Sequence, residues 1–462
     1  MANELSATQS LTTLSGPLTN ADLTVFGRSL SNLQANILKG HGRDFVDHVV
    51  LRFRTGHRAE VVSWLAQFAK TQVTRAEKQL AAHRPTNTKD PGEPLSTISF
   101  AADCYRYLGL PLPRDFDKAF TFGMKHATAA LRDPVPTEWE LPYQGEIHAL
   151  VILADGSRSR LKKRTSLFEK DVQPFAIVLA RERGEVIRDK KNPYISYEHF
   201  GYADGISQPV FFKDDLAALP IDKWNPQLPV GRILVQDPLG GPESFGSYLV
   251  FRKLEQRVGA FFRRRKELAA ALSLTENEAG ALAIGRMQDG TPLADVSPGE
   301  GKPREPPNNF NYDNDRGGSR CPFQAHIRKV NPRGAAHGIE VEEVHRIVRR
   351  GIPYGKFVAD SEDPGSVSDR DRGLLFMCYQ RSIRSQFEVL QGQWANKDTF
   401  PVIGAGVDPV IGQSDIRRPG TWPNRGVPPK KEFDFRDFVL LKGGEYFFTP
   451  SVGFLEKPFG VS

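Results

Sequence analysis

Hydrophobic and polar positions in the first half of the chain follow two periods. Residues 48–54 alternate closely enough to predict a half-buried strand, and residues 59–72 carry apolar side chains at helical spacing. Further strands are predicted at residues 96–101, 146–153 and 175–180, and a further helix at 116–131. The predicted elements lie in the order β-α-β-α-β-β, and we interpret them as a ferredoxin-like unit, whose full order is β-α-β-β-α-β and in which helices cover one face of an antiparallel sheet.

A similar succession of patterns recurs after about residue 230. Strands are predicted at residues 233–236, 248–251, 341–348 and 374–379, helices at 254–272, 276–287 and 385–396, and a closing hairpin at 438–441 and 446–449 around Gly443 and Gly444. Two connections rich in Pro, Gly and Asn, at residues 289–320 and 403–431, are long enough to be functional.

The expected fold class is therefore α+β, with two ferredoxin-like domains built on antiparallel sheets. Residues 1–30, which begin with a stretch rich in Ser, Thr, Asn and Ala, are expected to form a flexible N-terminal arm. Residues 31–215 are expected to form the N-terminal domain and residues 216–462 the C-terminal domain.

Composition excludes several classes of protein. Of the 462 residues, 39% are hydrophobic and 25% charged, which is typical of globular proteins. No segment approaches the ~20 consecutive apolar residues that span a bilayer, so no membrane partner is expected. Three cysteines are too few for a disulfide scaffold or a four-thiolate metal site. The first basic residue is Arg28 and no apolar segment precedes it, so we expect a cytoplasmic location.

The net charge of +7 is spread over both halves of the chain. A nucleic-acid-binding module usually concentrates basic residues in one patch or arm. We therefore expect no nucleic-acid partner.

Common catalytic motifs are missing from the sequence: there is no phosphate-binding P-loop, no Gly-x-Ser-x-Gly and no His-Glu-x-x-His. Four other segments stand out, at residues 34–42, 201–209, 321–333 and 347–355. The second reads Gly-Tyr-Ala-Asp-Gly-Ile-Ser-Gln-Pro, and the third places one of the chain's ten histidines, His326, in Cys-Pro-Phe-Gln-Ala-His-Ile-Arg-Lys-Val-Asn-Pro-Arg. In content and order the four segments resemble the dye-decolorising peroxidases, and in particular their larger bacterial-type members.

This resemblance implies a haem peroxidase that carries haem b (iron protoporphyrin IX) in its C-terminal half. It implies that His326 is the axial iron ligand, since histidine is the proximal ligand of haem peroxidases. The other ring nitrogen of a ligand histidine needs an acceptor, and Glu388 best matches the family's carboxylate partner. The implied reaction uses hydrogen peroxide to oxidise dyes, anthraquinone types among them, and phenolic compounds through an oxoferryl intermediate.

Peroxide cleavage requires a group that carries a proton between two oxygen atoms. The resemblance implies Asp204 for this role and Arg349 as the fixed positive charge beside it. Arg350 is a rival, but neighbours on a strand point to opposite faces, so only one arginine can face the haem. A carboxylate base stays ionised in mild acid, so we expect an acidic optimum for dye oxidation.

Further residues are candidate haem contacts. Ile206, Ser207 and Gln208 follow the Asp204 turn, and Arg328 is a candidate either for a propionate or for a surface ion pair. On the strand at residues 374–379, alternation allows either Leu375 and Met377 or Phe376 alone to face the haem. The resemblance also implies that large dyes are oxidised through surface tyrosines or tryptophans, among the 11 Tyr and five Trp of the chain.

Two other functions remain as alternatives. A haem-binding protein for haem storage, sensing or iron release is compatible with the same architecture. The combination of Asp204 with Arg349 argues against it, and the even charge distribution argues against a nucleic-acid-binding module. The oligomeric state stays open.

Overall fold

The computed structural model describes residues 10–82, 92–188, 195–295, 306–358, 367–414, 419–423 and 431–457. The strands are β1 (Phe45–Phe53), β2 (Leu95–Phe100), β3 (Ala149–Asp155), β4 (Ala176–Glu185), β5 (Ile187–Arg188), β6 (Ser196–Tyr197), β7 (Ala203–Asp204), β8 (Val235–Gln236), β9 (Phe245–Gln256), β10 (Val348–Arg349), β11 (Ile352–Tyr354), β12 (Gly373–Gln380), β13 (Gly420–Trp422), β14 (Lys431–Phe433) and β15 (Val439–Thr449).

The α-helices are α1 (Asn20–Val25), α2 (Gly27–Asn32), α3 (Arg58–Thr71), α4 (Ala76–Ala81), α5 (Ala102–Tyr107), α6 (Lys118–Phe122), α7 (Thr128–Leu131), α8 (Leu141–Gln144), α9 (Arg158–Val172), α10 (Lys213–Ala217), α11 (Val258–Leu272), α12 (Glu276–Ile284), α13 (His326–Val330), α14 (Ile339–Glu343) and α15 (Val452–Leu455). A π-helix spans Val389–Ala395, and short 3-10 turns lie at Leu11–Thr13, Met124–Ala127, Pro136–Glu138, Val230–Arg232, Leu293–Asp295 and Asp313–Asp315. Within the described ranges no helix has the length and apolar character needed to cross a membrane.

Each half of the chain contributes four strands in the same antiparallel order. In the first half the order is β4-β1-β3-β2, and α3 and α9 make the two helical connections. In the second half it is β15-β9-β12-β11, with α11 and α12 following β9 and with β10 also pairing with β12. Both are the strand order of a ferredoxin-like unit, so the predicted α+β class is confirmed.

The two sheets join at both edges and close into a barrel. β2 pairs with β15 through Phe100 and Phe448, and β4 pairs with β11 through Gly184 and Tyr354. The second join requires a glycine, because a Cβ on Gly184 would lie 2.3 Å from Cγ2 of Ile352. The halves are therefore continuous in hydrogen bonding.

One large hydrophobic cluster takes buried side chains from strands of both halves. A second cluster surrounds α11 and α12. The expected boundary between residues 215 and 216 falls in the connection between the two sets of barrel strands. Because the halves share a core, the division into two domains stays a prediction.

Residues 10–32 fold onto the body of the protein. Leu18 and Leu30 are buried, and Leu18 pairs with the main chain beside α10, where its N–H donates to Phe211 O at 2.7 Å and its carbonyl accepts from Lys213 N at 2.9 Å. The expected flexible arm is therefore wrong for this stretch, because its scattered leucines anchor it. The residues before it lie outside the described ranges.

Two helical expectations in the first half also needed correction. α9 was not predicted, because charged residues separate its few buried positions (Leu161, Thr165, Phe168 and Val172). The helix expected at residues 116–131 is broken into α6, a 3-10 turn and α7. The break follows from Gly123, which ends α6 with a φ of +80°.

Two predictions in the second half are wrong. The hairpin expected around Gly443 is a single strand, β15, whose pairing with β9 shifts register between Leu441 and Gly443. Glycine inside a strand often marks such a bulge, and Gly443 has a φ of +147°. The strand expected at 341–348 is instead the end of α14, then a turn and an irregular stretch at residues 344–347, and only its last residue lies in the short β10.

Candidate active site

A large cavity opens beside β9, β12 and α13. Its void volume is about 1860 Å³ when counted out to its open mouth. Apolar side chains that line it include Ile284, Ile327, Val330, Leu374, Phe376, Phe387, Leu390, Val410, Ile411 and Val439. The ionisable side chains that line it include Glu198, Asp204, Arg252, Arg286, His326, Arg333, Arg346 and Arg349. The cavity therefore brings together Asp204, Arg349 and His326, which lie far apart in the sequence.

Asp204 lies at the end of the β6–β7 hairpin. The residue after it, Gly205, has a φ of +79°, which a glycine adopts without steric strain. Glu198, at the start of the hairpin loop, accepts hydrogen bonds from Phe200 N at 2.8 Å and from Tyr202 N at 3.0 Å. These bonds fix the loop that leads into Asp204.

Arg349, on β10, is held by the segment that follows Asp204. Its backbone N–H donates to Oε1 of Gln208 at 3.1 Å, and its Nη2 donates to the carbonyl of Ile206 at 2.5 Å. Its Nη1 donates to Oδ1 of Asp204 at 3.2 Å. Arg350 instead donates to the carbonyls of Asn36 and Ile37, away from the cavity. The geometry thus pairs Asp204 with the first arginine.

His326 begins α13 and faces the cavity. Its Nδ1 lies 2.8 Å from Oδ2 of Asp408, a fully buried carboxylate. Oδ1 of Asp408 accepts from the backbone N–H groups of Val410 at 2.8 Å and Ile411 at 3.0 Å. Asp408 therefore accepts the proton on Nδ1, and no described residue hydrogen bonds Nε2 of His326, which is left with a lone pair for a metal ion.

The expected pairing of His326 with Glu388 is wrong. Glu388 accepts a hydrogen bond from the hydroxyl of Tyr446 at 3.1 Å and does not line the cavity. Burial raises the pKa of Glu388. Sequence separation does not determine which carboxylate a folded chain brings to His326, and here the 403–431 connection supplies it.

Arg328 also differs from expectation. Its side chain is fully buried, and its Nη1 donates to Oδ2 of Asp315 at 2.9 Å. Its Nη2 donates to the carbonyl of Asp315 at 2.8 Å. The prediction that Arg328 contacts a propionate is therefore wrong, because Asp315 already neutralises the charge of the Arg328 guanidinium.

Three other arginines in the cavity wall, Arg286, Arg333 and Arg346, have no carboxylate within ion-pair distance among the described residues, and Arg286 and Arg333 are the buried ones. Arg333 donates to the carbonyl of Phe310 at 2.6 Å and to Oγ of Ser207 at 3.0 Å. Arg286 donates to the carbonyls of Gly290 and Pro307 at 2.7 and 2.9 Å. Burial lowers the pKa of Arg333 to about 9 and that of Arg286 to about 10. Both remain cationic at neutral pH and lack a counter-charge.

Alternation along β12 decides which of its residues face the cavity. Leu375 and Met377 are fully buried in the first hydrophobic cluster, whereas Leu374 and Phe376 line the cavity. Of the two alternatives left by the sequence, the structure supports Phe376 and adds Leu374. Ile206, Ser207 and Gln208 line the cavity as well.

Glu198 adds a second carboxyl group to the cavity. It accepts a hydrogen bond from Nε2 of Gln256 at 2.5 Å. Burial raises the pKa of Glu198 to about 7, and the nearby charge of Asp204 adds to this effect. The carboxyl is therefore protonated in mild acid and becomes anionic above neutrality.

Sequence reasoning missed four residues of this site: Glu198, Arg286, Arg333 and Asp408. Glu198 and Arg333 lie beside or within the segments that were singled out, so inspection of each segment's flanks could have found them. Asp408 lies in a predicted loop without periodicity. Only its Asp-Pro dipeptide, which is typical of turns, marks the position.

The site can hold a metal-bearing macrocycle that carries acidic groups. It offers an imidazole whose Nε2 no described residue hydrogen bonds, apolar walls, and the buried guanidinium groups of Arg286 and Arg333, which have no carboxylate within ion-pair distance in the described ranges. It also offers a carboxylate beside a fixed guanidinium, an arrangement suited to moving a proton on a small bound molecule.

Comparison with known proteins identifies the family to which the chain is similar. The family model described as Dyp-type peroxidase, C-terminal, matches residues 235–401. The multifunctional dye peroxidase DyP2 of Amycolatopsis sp. (strain ATCC 39116 / 75iv2) is 38% identical over 456 residues, covering 93% of this chain and 95% of the relative.

Solved structures of similar proteins extend the likeness to the whole fold. The crystal structure of an Anabaena sp. DyP-type peroxidase has a TM-score of 0.88 at 37% identity, covering 96% of this chain and 97% of that one. A dye-decolorizing peroxidase in complex with 2,6-dimethoxyphenol has a TM-score of 0.78 at 27% identity, covering 93% and 99%. The chain therefore belongs to the dye-decolorising peroxidase family, whose members are haem enzymes that act on peroxide.

Proposed function

We propose that the cavity would hold haem b with His326 as the residue that binds its iron, and that Asp204 and Arg349 act on hydrogen peroxide in the same cavity. The observation that carries this proposal is the pair formed by Arg349 Nη1 and Asp204 Oδ1 at 3.2 Å, in the same cavity as a histidine held by a buried carboxylate. When bound, haem supplies the iron that takes up peroxide and the electrons that reduce it.

The charges of the cavity fit this cofactor. Haem b carries two propionates, and the wall contains two buried guanidinium groups, Arg286 and Arg333, without a carboxylate partner in the described ranges. We assign the propionates to these two groups in place of Arg328. Ser207 and Asn331 lie beside Arg333, since Oγ of Ser207 accepts from Arg333 Nη2 at 3.0 Å and from Asn331 Nδ2 at 3.3 Å.

Asp204 is suited to move the proton of hydrogen peroxide. Arg349 holds Oδ1, while no described residue donates to Oδ2. Oδ2 can therefore accept a proton from one peroxide oxygen and return it to the other. Arg349 keeps its charge throughout and stabilises the anions that form.

The substrates that we propose are dyes and phenolic compounds. Dyes are supported as substrates because relatives are named dye peroxidases. Small phenols are supported by the solved complex of a dye-decolorizing peroxidase with 2,6-dimethoxyphenol. The alternative of haem storage or iron release is disfavoured, because it requires neither Asp204 nor Arg349 and because the relatives are peroxidases.

We expect dye and phenol oxidation to be fastest in mild acid. Above neutrality Glu198, with its pKa raised to about 7 by burial, adds a second negative charge near Asp204 and opposes anionic peroxide. The profile is tested by the steady-state turnover of an anthraquinone dye and of 2,6-dimethoxyphenol. Turnover is measured in steps of about one pH unit from about pH 3 to about pH 9.

Glu198→Gln provides the matched variant, because an amide keeps the size of the side chain and cannot ionise. We expect its activity, taken relative to its own value in acid, to fall less steeply above pH 7 than that of the wild type. The comparison is relative because the amide nitrogen cannot accept one of the backbone N–H bonds that the carboxylate holds. A wild-type optimum above neutrality with intact haem would contradict the proposed function. An unchanged alkaline limb in Glu198→Gln would contradict only the role of Glu198.

Asp408→Asn tests which carboxylate serves His326. The substitution removes the negative charge beside the imidazole and makes the ring a weaker electron donor. The ferric/ferrous midpoint potential is therefore expected to become more positive. Glu388→Gln is the control and should leave the midpoint at the wild-type value, since Glu388 contacts Tyr446. Spectroelectrochemical titration of the haem-loaded variants measures both, and equal shifts would contradict the assignment.

A further inference from the structure

Lys329 is a buried charged residue that the reaction described above does not use. It lies on α13, three residues after His326, and its side chain is fully buried. Its Nζ donates to the carbonyl of Lys397 at 2.6 Å and to that of Phe400, and lies 5.8 Å from the centroid of the Phe400 ring. No carboxylate of the described ranges lies within ion-pair distance of it.

The two carbonyls belong to the segment that also anchors Asp408. The backbone N–H of Asp408 donates to the carbonyl of Ala395 at 2.9 Å, and Gly406 N donates to Asp398 O at 3.3 Å. Lys329 therefore connects α13, which carries His326, to the segment from which Asp408 is held. Both members of the His326–Asp408 pair are thus positioned by elements that the ammonium group joins.

Burying an ammonium group among neutral acceptors is costly, whereas an apolar side chain of similar length would fill the same space without that cost. The retained charge acts in a medium of low polarity, where electrostatic effects are large. Burial lowers the pKa of Lys329 to about 8, and the negative charges of Asp408 and Asp398 oppose this shift. The group is therefore positively charged at neutral pH and interacts with Asp408.

We propose that Lys329 is a positioning residue that ties α13 to residues 395–400 and moderates the negative charge that Asp408 places on His326. This inference rests on the proposed function, because it requires iron bound at His326. A positive charge near the imidazole makes it a weaker electron donor and favours the ferrous state. Lys329 therefore raises the ferric/ferrous potential of the bound haem, which opposes the effect of Asp408.

Lys329→Met tests this inference in the haem-loaded protein, because methionine keeps an unbranched apolar side chain and removes the charge. We expect a more negative midpoint potential and a stronger iron–histidine bond, seen as a higher stretching frequency in the resonance Raman spectrum of the ferrous form. Lys397→Met is the control, since Lys397 is exposed in the same segment and solvent screens its charge. It should retain the wild-type values.

Lys329→Arg keeps the charge and should restore the midpoint toward the wild-type value, which a purely structural role does not predict. Lys329→Gln, which keeps hydrogen-bond donors without a charge, replaces Lys329→Met if the latter does not take up haem. A wild-type midpoint in either neutral variant overturns the proposal. His326→Ala is measured in the same experiments. If that variant loses its iron ligand while a neutral Lys329 variant keeps the wild-type midpoint, only the role of Lys329 is overturned and the proposed function stands.

Discussion

Asp204→Asn is expected to bind haem like the wild type and to react with hydrogen peroxide about 10²–10⁴-fold more slowly. The amide has the same size and can still accept from Arg349 Nη1 through its oxygen. It cannot take up the proton that peroxide must lose. Stopped-flow recording of the Soret band after addition of peroxide measures the loss, and an unchanged ferric spectrum before mixing shows that the cofactor site is intact.

Asp214→Asn is the matched control, because Asp214 is exposed on α10 outside the cavity. It should react at the wild-type rate. If Asp204→Asn also reacts at that rate, Asp204 is not the proton carrier. Arg349→Leu then decides whether the guanidinium alone supports the reaction, since leucine removes the charge and both of its hydrogen bonds to the Asp204 segment.

His326→Ala is expected to show the largest loss of cofactor affinity. Removing a partner of a metal ligand already weakens metal binding by about 10–100-fold, so removing the ligand should cost more than about 100-fold. Titration of the haem-free variant with haem, followed at the Soret band, gives the affinity. Added imidazole should restore part of the ferric spectrum, because the substitution leaves a cavity of matching shape beside Asp408.

The control for this experiment is His337→Ala, since His337 is an exposed histidine eleven residues further along the chain. Its haem affinity and spectrum should match the wild type. A His326→Ala protein with the wild-type affinity and spectrum would place the iron ligand on another residue and would contradict the proposed geometry. Partial loss without rescue by imidazole would indicate that His326 acts through packing.

Much of the fold was predictable because periodicity is a local property. The alternation at β1 and the helical spacing at α3 can be seen in the sequence without knowledge of their partners. α9 was missed because charges fill most of its exposed positions. The error at β15 has a different cause. Gly443 can mark either a turn or a bulge until its partner strand is known.

The site was predictable only where chemistry and position lie in one segment. Asp204, Arg349 and His326 each belong to a segment that resembles the peroxidase family, and the structure brings all three to one cavity. Asp408 and Arg286 come from segments without such a signal, so only the folded chain shows them beside the site. The error over Glu388 has this cause, because a plausible carboxylate in sequence has another partner in space.

Closure of the barrel has a consequence for how the protein folds during its synthesis. Because the first-half sheet meets β15 at one edge and β11 at the other, neither half keeps a complete set of strand partners without its companion. Asp204 lies before the second-half strands and His326 lies among them, so both parts of the reaction centre depend on the same cooperative folding event. A nascent chain that has emerged only as far as residue 401 would lack β15, so Asp204 and His326 would not take their places in a closed barrel until the last strand is made.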